Sequence, residues 1–107
     1  LAASAALACM DVIDQENLVD NANIIGTKMH KIMTKAENIH GSIMNVRSLG
    51  AVCAADVCGE NAHDTAQQLC QNALANGVLM RPLGSSIYWL PPLNITDSDL
   101  DVLSGCF

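Results

Sequence analysis

MRPLGSSIYWLPPL, residues 80–93, holds the chain's only Trp and only Tyr, all three of its Pro residues and one of its two Arg residues. Its start reads as the end of a short strand, Val78 to Arg81, running into a turn at Pro82 to Ser85. Pro82 fixes the chain direction just after the arginine, and Gly84 permits a tight turn. A second short strand, Ser86 to Leu90, follows. Pro91-Pro92 ends it, because proline cannot donate to a ladder. The C-terminal half therefore contributes short strands to a sheet.

Outward from this stretch, the chain alternates helical and strand-like patterns. Ala2 to Ile13 reads as an Ala-rich helix, alanine being the best helix former. Asp14 is placed to cap a second helix. In it Leu18, Ala22, Ile25, Met29 and Ile32 recur at helical spacing as one buried stripe. Lys28, Lys31 and Lys35 lie mostly away from that stripe, on a solvated face near the helix C-terminus where positive charge is favourable. Gly41 ends the helical region. IMNVRSLGAVCAADV, residues 43–57, then reads as a strand, a glycine irregularity at Gly50 (a bulge or tight bend) and a second strand from Ala51 to Val57. The second run is almost continuously apolar, which implies that both its faces are covered. A third helix is expected from about Asp64 to Asn76, burying Ala66, Leu69, Cys70, Ala73 and Leu74, with Gly77 in the favoured C′ place. Thr96, followed three residues later by Asp99, approximates a capping box for a last helix.

The order is α-α-β-β-α-β-β-α. It describes an α+β fold: a small, largely antiparallel sheet covered by helices. At 107 residues the chain is one domain, 1–107, and half its residues are hydrophobic, enough for a core. Only three are aromatic, so small aliphatic side chains and methionine must fill that core.

A formal net charge of −6 argues against a nucleic-acid partner, which needs a basic footprint, and against an anionic membrane surface. No apolar run approaches the length of a membrane span. LAASAALACM has no basic residue before it and flows into further helical pattern. It reads as a helix that begins abruptly rather than as a signal peptide. The five cysteines are odd in number and irregular in spacing, and Cys9, Cys53 and Cys70 sit in apolar periodic segments. Reduced thiols and a cytoplasmic protein are expected. Cys53 and Cys58 lack a second ligand pair at suitable spacing, so no metal site is expected. His30 and His40 are expected at the surface, without the oriented partner a catalytic histidine needs.

Arg81 is the candidate site residue. A guanidinium cannot be buried alone, and its planar fork suits a carboxylate held by two parallel bonds. The turn after it would hold it at the end of an element, as a substrate-positioning residue is held. A surface or salt-bridged arginine is the plainer reading of the same residues.

RPLGSSIYWLPPL, followed by Asn94-Ile95-Thr96-Asp97, resembles the C-terminal signature of the class III pyridoxal-phosphate aminotransferases: an Arg-Pro-x-Gly turn, a Tyr-containing strand and a Pro-Pro pair. LAASAALACMDVID resembles the family's Ala-rich helix, and NVRSLGAVCAADV its Val-Arg-x-Leu-Gly-Ala-Ile strand. The resemblance covers essentially the whole chain in the right order. It is nearest to the members serving biotin biosynthesis.

The resemblance implies the C-terminal small domain of a fold type I aminotransferase, a fragment of a larger enzyme in which pyridoxal phosphate shuttles an amino group. S-adenosylmethionine would be the amino donor and 8-amino-7-oxononanoate the acceptor. The arginine matching Arg81 would bind the substrate carboxylate, with Tyr88 near it by a looser match. Trp89 would have a structural place, in the core or against a missing domain. The family's Schiff-base lysine, pyridine-binding Asp and phosphate contacts have no counterpart here. No catalytic or cofactor-binding residue is therefore assigned to this chain, and alone it is expected to be inactive. Its expected partners are the large domain, a small-molecule substrate and, in the parent, a second subunit. Two rival readings stand beside this one: another class III enzyme acting on an ω-amino acid or diamine, and a non-catalytic α+β module binding a partner through an apolar face.

Overall fold

The computed structural model describes Leu1 to Phe107. The elements run α1 (Ala2–Gln15), α2 (Leu18–His40), β1 (Ile43–Leu49), β2 (Val52–Val57), α3 (Ala62–Ala75), β3 (Pro82–Leu83), β4 (Ser86–Trp89) and α4 (Asp97–Val102), closing on a 3-10 turn at Leu103–Cys106. The fold is α+β, in the element order the sequence predicts. Its one sheet has the strand order β1-β2-β4-β3, and every pairing is antiparallel.

Helices cover one face of that sheet and leave the other open. Ile25, Met29, Met33 and Ala36 of α2, and Ala66, Cys70 and Ala73 of α3, pack on Ile43, Cys53, Ala55, Val57, Ile87 and Trp89. Burial along β2 and β4 alternates strictly. The expectation that β2 is covered on both faces is therefore corrected: Val52 and Ala54 on its open side imitate a buried run. Leu100, Leu103 and Cys106 close the core, and Trp89 lies in it with its ring 5.7 Å from that of Phe107. No helix is long and apolar enough to cross a membrane.

Several boundaries differ from the sequence reading. Asp14 lies inside α1. The cap of α2 is Asn17 at φ 54, a left-handed conformation that Asn tolerates and that turns the chain between the two helices. The buried stripe of α2 continues through Met33 and Ala36, with Ile32 only half-buried. Leu74 is exposed, because α3 rests on a narrow sheet along Ala66, Cys70 and Ala73 and leaves its flank in solvent. Val78 to Arg81 forms no strand; pairing begins at Pro82. Cys9 is exposed rather than packed.

Two glycine-led turns shape the sheet. Gly50, at φ 53, opens the two-residue turn between Leu49 and Val52, so it is the tight bend. The bulge lies elsewhere, at Asn45 (φ 54), where Asn45 and Val46 oppose Ala55 alone. Above the Gly50 turn, α2 passes so close that a Cβ on Gly26 would stand 1.8 Å from the Gly50 carbonyl oxygen.

Helix α1 stands apart. None of its residues is buried, and Leu7, Met10 and Val12 are exposed. The radius of gyration is 15.4 Å, where a compact domain of this length would have about 13 Å.

Candidate functional site

The site is assembled where α3 hands the chain to the sheet. Helix α3 ends in a Schellman arrangement: the Gly77 N–H donates to the Leu74 carbonyl at 3.0 Å and the Val78 N–H to the Ala73 carbonyl at 2.9 Å, with Gly77 at φ 85. From there burial alternates. Val78 and Met80 dip into the core, while Leu79 and Arg81 are exposed. Two apolar anchors thus carry the arginine on a short, fixed arm.

Arg81 forms no ion pair and no hydrogen bond within the chain. The other arginine, Arg47, is paired with Asp56 at 2.9 Å, and Lys28 is paired with Asp97. Of the two arginines, only Arg81 keeps its donors free for a ligand. The β3–β4 ladder pairs Pro82 with Ile87 and Leu83 with Ser86. Arg81 directly precedes Pro82, and Tyr88 directly follows Pro82's partner Ile87. Tyr88 is half-buried on the open face of β4, and its partner across β2 is Ala54. The two residues thus flank the Pro82–Ile87 pair, at one corner of the sheet. Trp89 turns the other way and belongs to the core.

A polar network adjoins this corner and was not foreseen. The Asp56 carboxylate accepts from Arg47 at 2.9 Å, from the Ser86 hydroxyl at 2.7 Å and from the Asn45 amide at 3.2 Å. These donors hold its pKa at about 2, down from the usual 3.8, with the Arg47 hydrogen bond first among the causes. The bulge makes the network possible. Without the extra residue at Asn45, strand alternation would turn Arg47 to the core face. The sequence signal was an opposite-charge pair in adjacent strands, but the bulge that brings the two together is invisible to a period-two reading.

A second unforeseen contact reaches the turn from the helix layer. His63 Nδ1 lies 3.1 Å from the Gly84 carbonyl oxygen, and its Nε2 lies 3.1 Å from the Gln67 amide nitrogen. His30 and His40 stay apart from this corner: His40 is exposed, and His30 Nδ1 lies 3.5 Å from the Ser48 hydroxyl.

The residues present do not fit pyridoxal phosphate. The three lysines all lie on α2. Lys31 and Lys35 are exposed and Lys28 is ion-paired, so none has the desolvated setting of an amine that forms a Schiff base. The five cysteines are unpaired, and no cluster of His, Cys, Asp or Glu has a metal-holding arrangement. Burial pushes the thiols of Cys53 and Cys106 up to about 11, which leaves them protonated and poorly nucleophilic. A separate groove of about 350 Å³ runs past Val78, Trp89, Pro91, Pro92 and Ile95 and does not include Arg81. Asp99 is its one charged wall residue.

Comparison with known proteins gives this geometry a context. The family model described as aminotransferase class-III matches residues 1–107. The adenosylmethionine-8-amino-7-oxononanoate aminotransferase of Methanocaldococcus jannaschii is 25% identical over 94% of this chain and 23% of its own length. The 4-aminobutyrate aminotransferase of Escherichia coli is 29% identical over 100% of this chain and 28% of its own length. Among solved structures, the acetylornithine aminotransferase from Elizabethkingia anophelis superposes with a TM-score of 0.87 at 30% identity, over 94% of this chain and 27% of that one. The chain thus spans about a quarter of the length of the relatives it matches.

Proposed function

This chain belongs to the class III aminotransferases, and on that premise we propose that it is the C-terminal small domain of a larger pyridoxal-phosphate enzyme, with Arg81 as its substrate-carboxylate anchor and Tyr88 beside it. The observation that carries the reading is the state of Arg81. It is exposed and unpaired, and held between the buried Met80 and the half-buried Pro82 where the β3–β4 ladder begins. An arginine so placed has five donors and no acceptor within its own chain. A bidentate carboxylate uses the two that matter.

For the parent we propose transfer of the amino group of S-adenosylmethionine to 8-amino-7-oxononanoate, giving 7,8-diaminononanoate in biotin biosynthesis. The resemblance of residues 81–92 to that branch supports it, as does the recurrence of relatives named for that reaction. A second reading has its own support: relatives named for 4-aminobutyrate, 5-aminovalerate and acetylornithine are similar at comparable identity. An ω-amino acid would present Arg81 with the same chemical group. Under either reading the cofactor sits on the large domain, and this chain alone does not turn over.

The test is amino transfer with added pyridoxal phosphate, measured for this chain alone, for the separately made N-terminal portion of the parent, and for the mixture. S-adenosylmethionine, alanine and glutamate are compared as donors. Silence apart and activity on mixing, with KM for the carboxylate substrate raised by Arg81→Ala, is the expected result. Consumption of alanine or glutamate in place of S-adenosylmethionine moves the assignment to the second reading. Activity in which Arg81→Ala leaves KM unchanged removes the role given to the arginine.

A further inference from the structure

We infer that His63 is a positioning residue for Arg81: through the Gly84 carbonyl it fixes the β3–β4 turn that aims the guanidinium. The inference rests on the proposed carboxylate-binding role of Arg81 and extends it to the element that sets its direction.

The hairpin carrying Arg81 has little holding power of its own. Strand β3 is two residues long, and its first residue, Pro82, has no N–H to give a ladder. Gly84, at φ 62, takes the first central place of the two-residue turn between Leu83 and Ser86, where glycine is at ease. Three contacts hold this turn from outside. The Val57 N–H donates to the Ser85 carbonyl at 2.8 Å, and the Ser86 hydroxyl donates to Asp56 at 2.7 Å. Both of these come from the end of β2, along one edge of the hairpin. Ile87 anchors β4 in the core, but Leu83, Gly84 and Ser85 at the tip are exposed, so the direction of the turn rests on such ties. His63, at 3.1 Å from the Gly84 oxygen, is the tie from the other direction, off that line.

The imidazole is itself well supported. It sits in the first turn of α3, whose Ala66, Cys70 and Ala73 are buried in the core. Gln67, one turn further on, bonds the other ring nitrogen. A carbonyl only accepts, so Nδ1 carries the hydrogen and Nε2 accepts from the Gln67 amide. Both nitrogens are thereby committed, and the ring joins the helix layer to the Arg81 turn as a strut. His63 has no contact with the polar network of Asp56, so its effect is separable from that of the network.

The experiment uses the full-length enzyme that contains this chain, with His63→Ala, His63→Asn and Arg81→Ala. Kinetics are taken with a carboxylate-bearing substrate and with an amine substrate lacking that group. His63→Ala is expected to raise KM for the first by roughly ten-fold, a displacement effect short of the 100-fold that an ångström can cost, and to leave KM for the second unchanged. Asn places its amide N–H where Nδ1–H stood, so His63→Asn is expected to restore most of the loss. Equal damage to both substrates, or no effect of His63→Ala while Arg81→Ala is harmful, overturns the inference and leaves Arg81 in its role. Indifference to Arg81→Ala overturns both. Amide hydrogen exchange at residues 83–86 of this chain gives a readout independent of catalysis. It is expected to quicken in His63→Ala and recover in His63→Asn, and unchanged exchange would also overturn the strut.

Discussion

Substituting Gly26 by alanine sets two physical effects against each other, and the structure decides between them. Gly26 lies inside α2, where alanine would be preferred by about 1 kcal/mol on helix propensity alone. The new Cβ, however, would stand 1.8 Å from the Gly50 carbonyl oxygen and 3.0 Å from its carbon. Relief requires α2 and the β1–β2 turn to separate by more than an ångström. Both colliding groups belong to the main chain, so no side-chain rotation can absorb the clash. Overpacking costs typically about 1–3 kcal/mol and more where nothing yields, which places this case at the upper end. The net loss is then roughly 2 kcal/mol, or about 10 °C in Tm for a domain of this size. Thermal unfolding followed by circular dichroism measures it. Asn38→Ala, on the exposed face of the same helix, serves as the control and is expected to raise Tm slightly. A Gly26→Ala chain with unchanged or higher Tm would refute the close approach of α2 to the turn.

Two further outcomes are expected. The fold lowers the Asp56 pKa from the usual 3.8 to about 2, so between those values the unfolded chain binds the extra proton. The stabilisation is complete above about pH 4 and is lost as pH falls towards 2; denaturant midpoints of Asp56→Asn should therefore change less over that window than those of the unaltered chain, and parallel curves would contradict the network. The exposed Leu7 and Met10 of α1 form an apolar face without cover in this chain. The isolated chain is expected to self-associate in sedimentation experiments, and Leu7→Glu with Met10→Glu to return it to monomer; a monomeric unaltered chain would count against an interface on α1.

How much of the site was legible follows from the range of each interaction. Arg81 was legible as a candidate because its setting is local, a proline and a glycine turn within three residues, whereas Tyr88 came only with the family string. The Asp56 network was missed because it depends on a bulge at Asn45, one extra residue that reverses which face Arg47 occupies. His63 was missed because its partner, Gly84, is 21 residues away on another layer. Nothing in the helical period of α3 announces that contact.

By itself the sequence determined the element order, the buried faces of α2 and α3 in outline, the cap at Thr96 and the stop at Gly77. Each is set by a few consecutive residues through hydrogen bonding and backbone freedom. It also carried the family signature, since that signature is a local string. Only the tertiary structure decided that the sheet has one open face, that Leu74 stays in solvent and that Asn17 rather than Asp14 separates the helices. These outcomes depend on what is left to pack against. A two-layer fold offers each helix one surface, so hydrophobic side chains beyond that narrow stripe find no partner, whatever their local pattern.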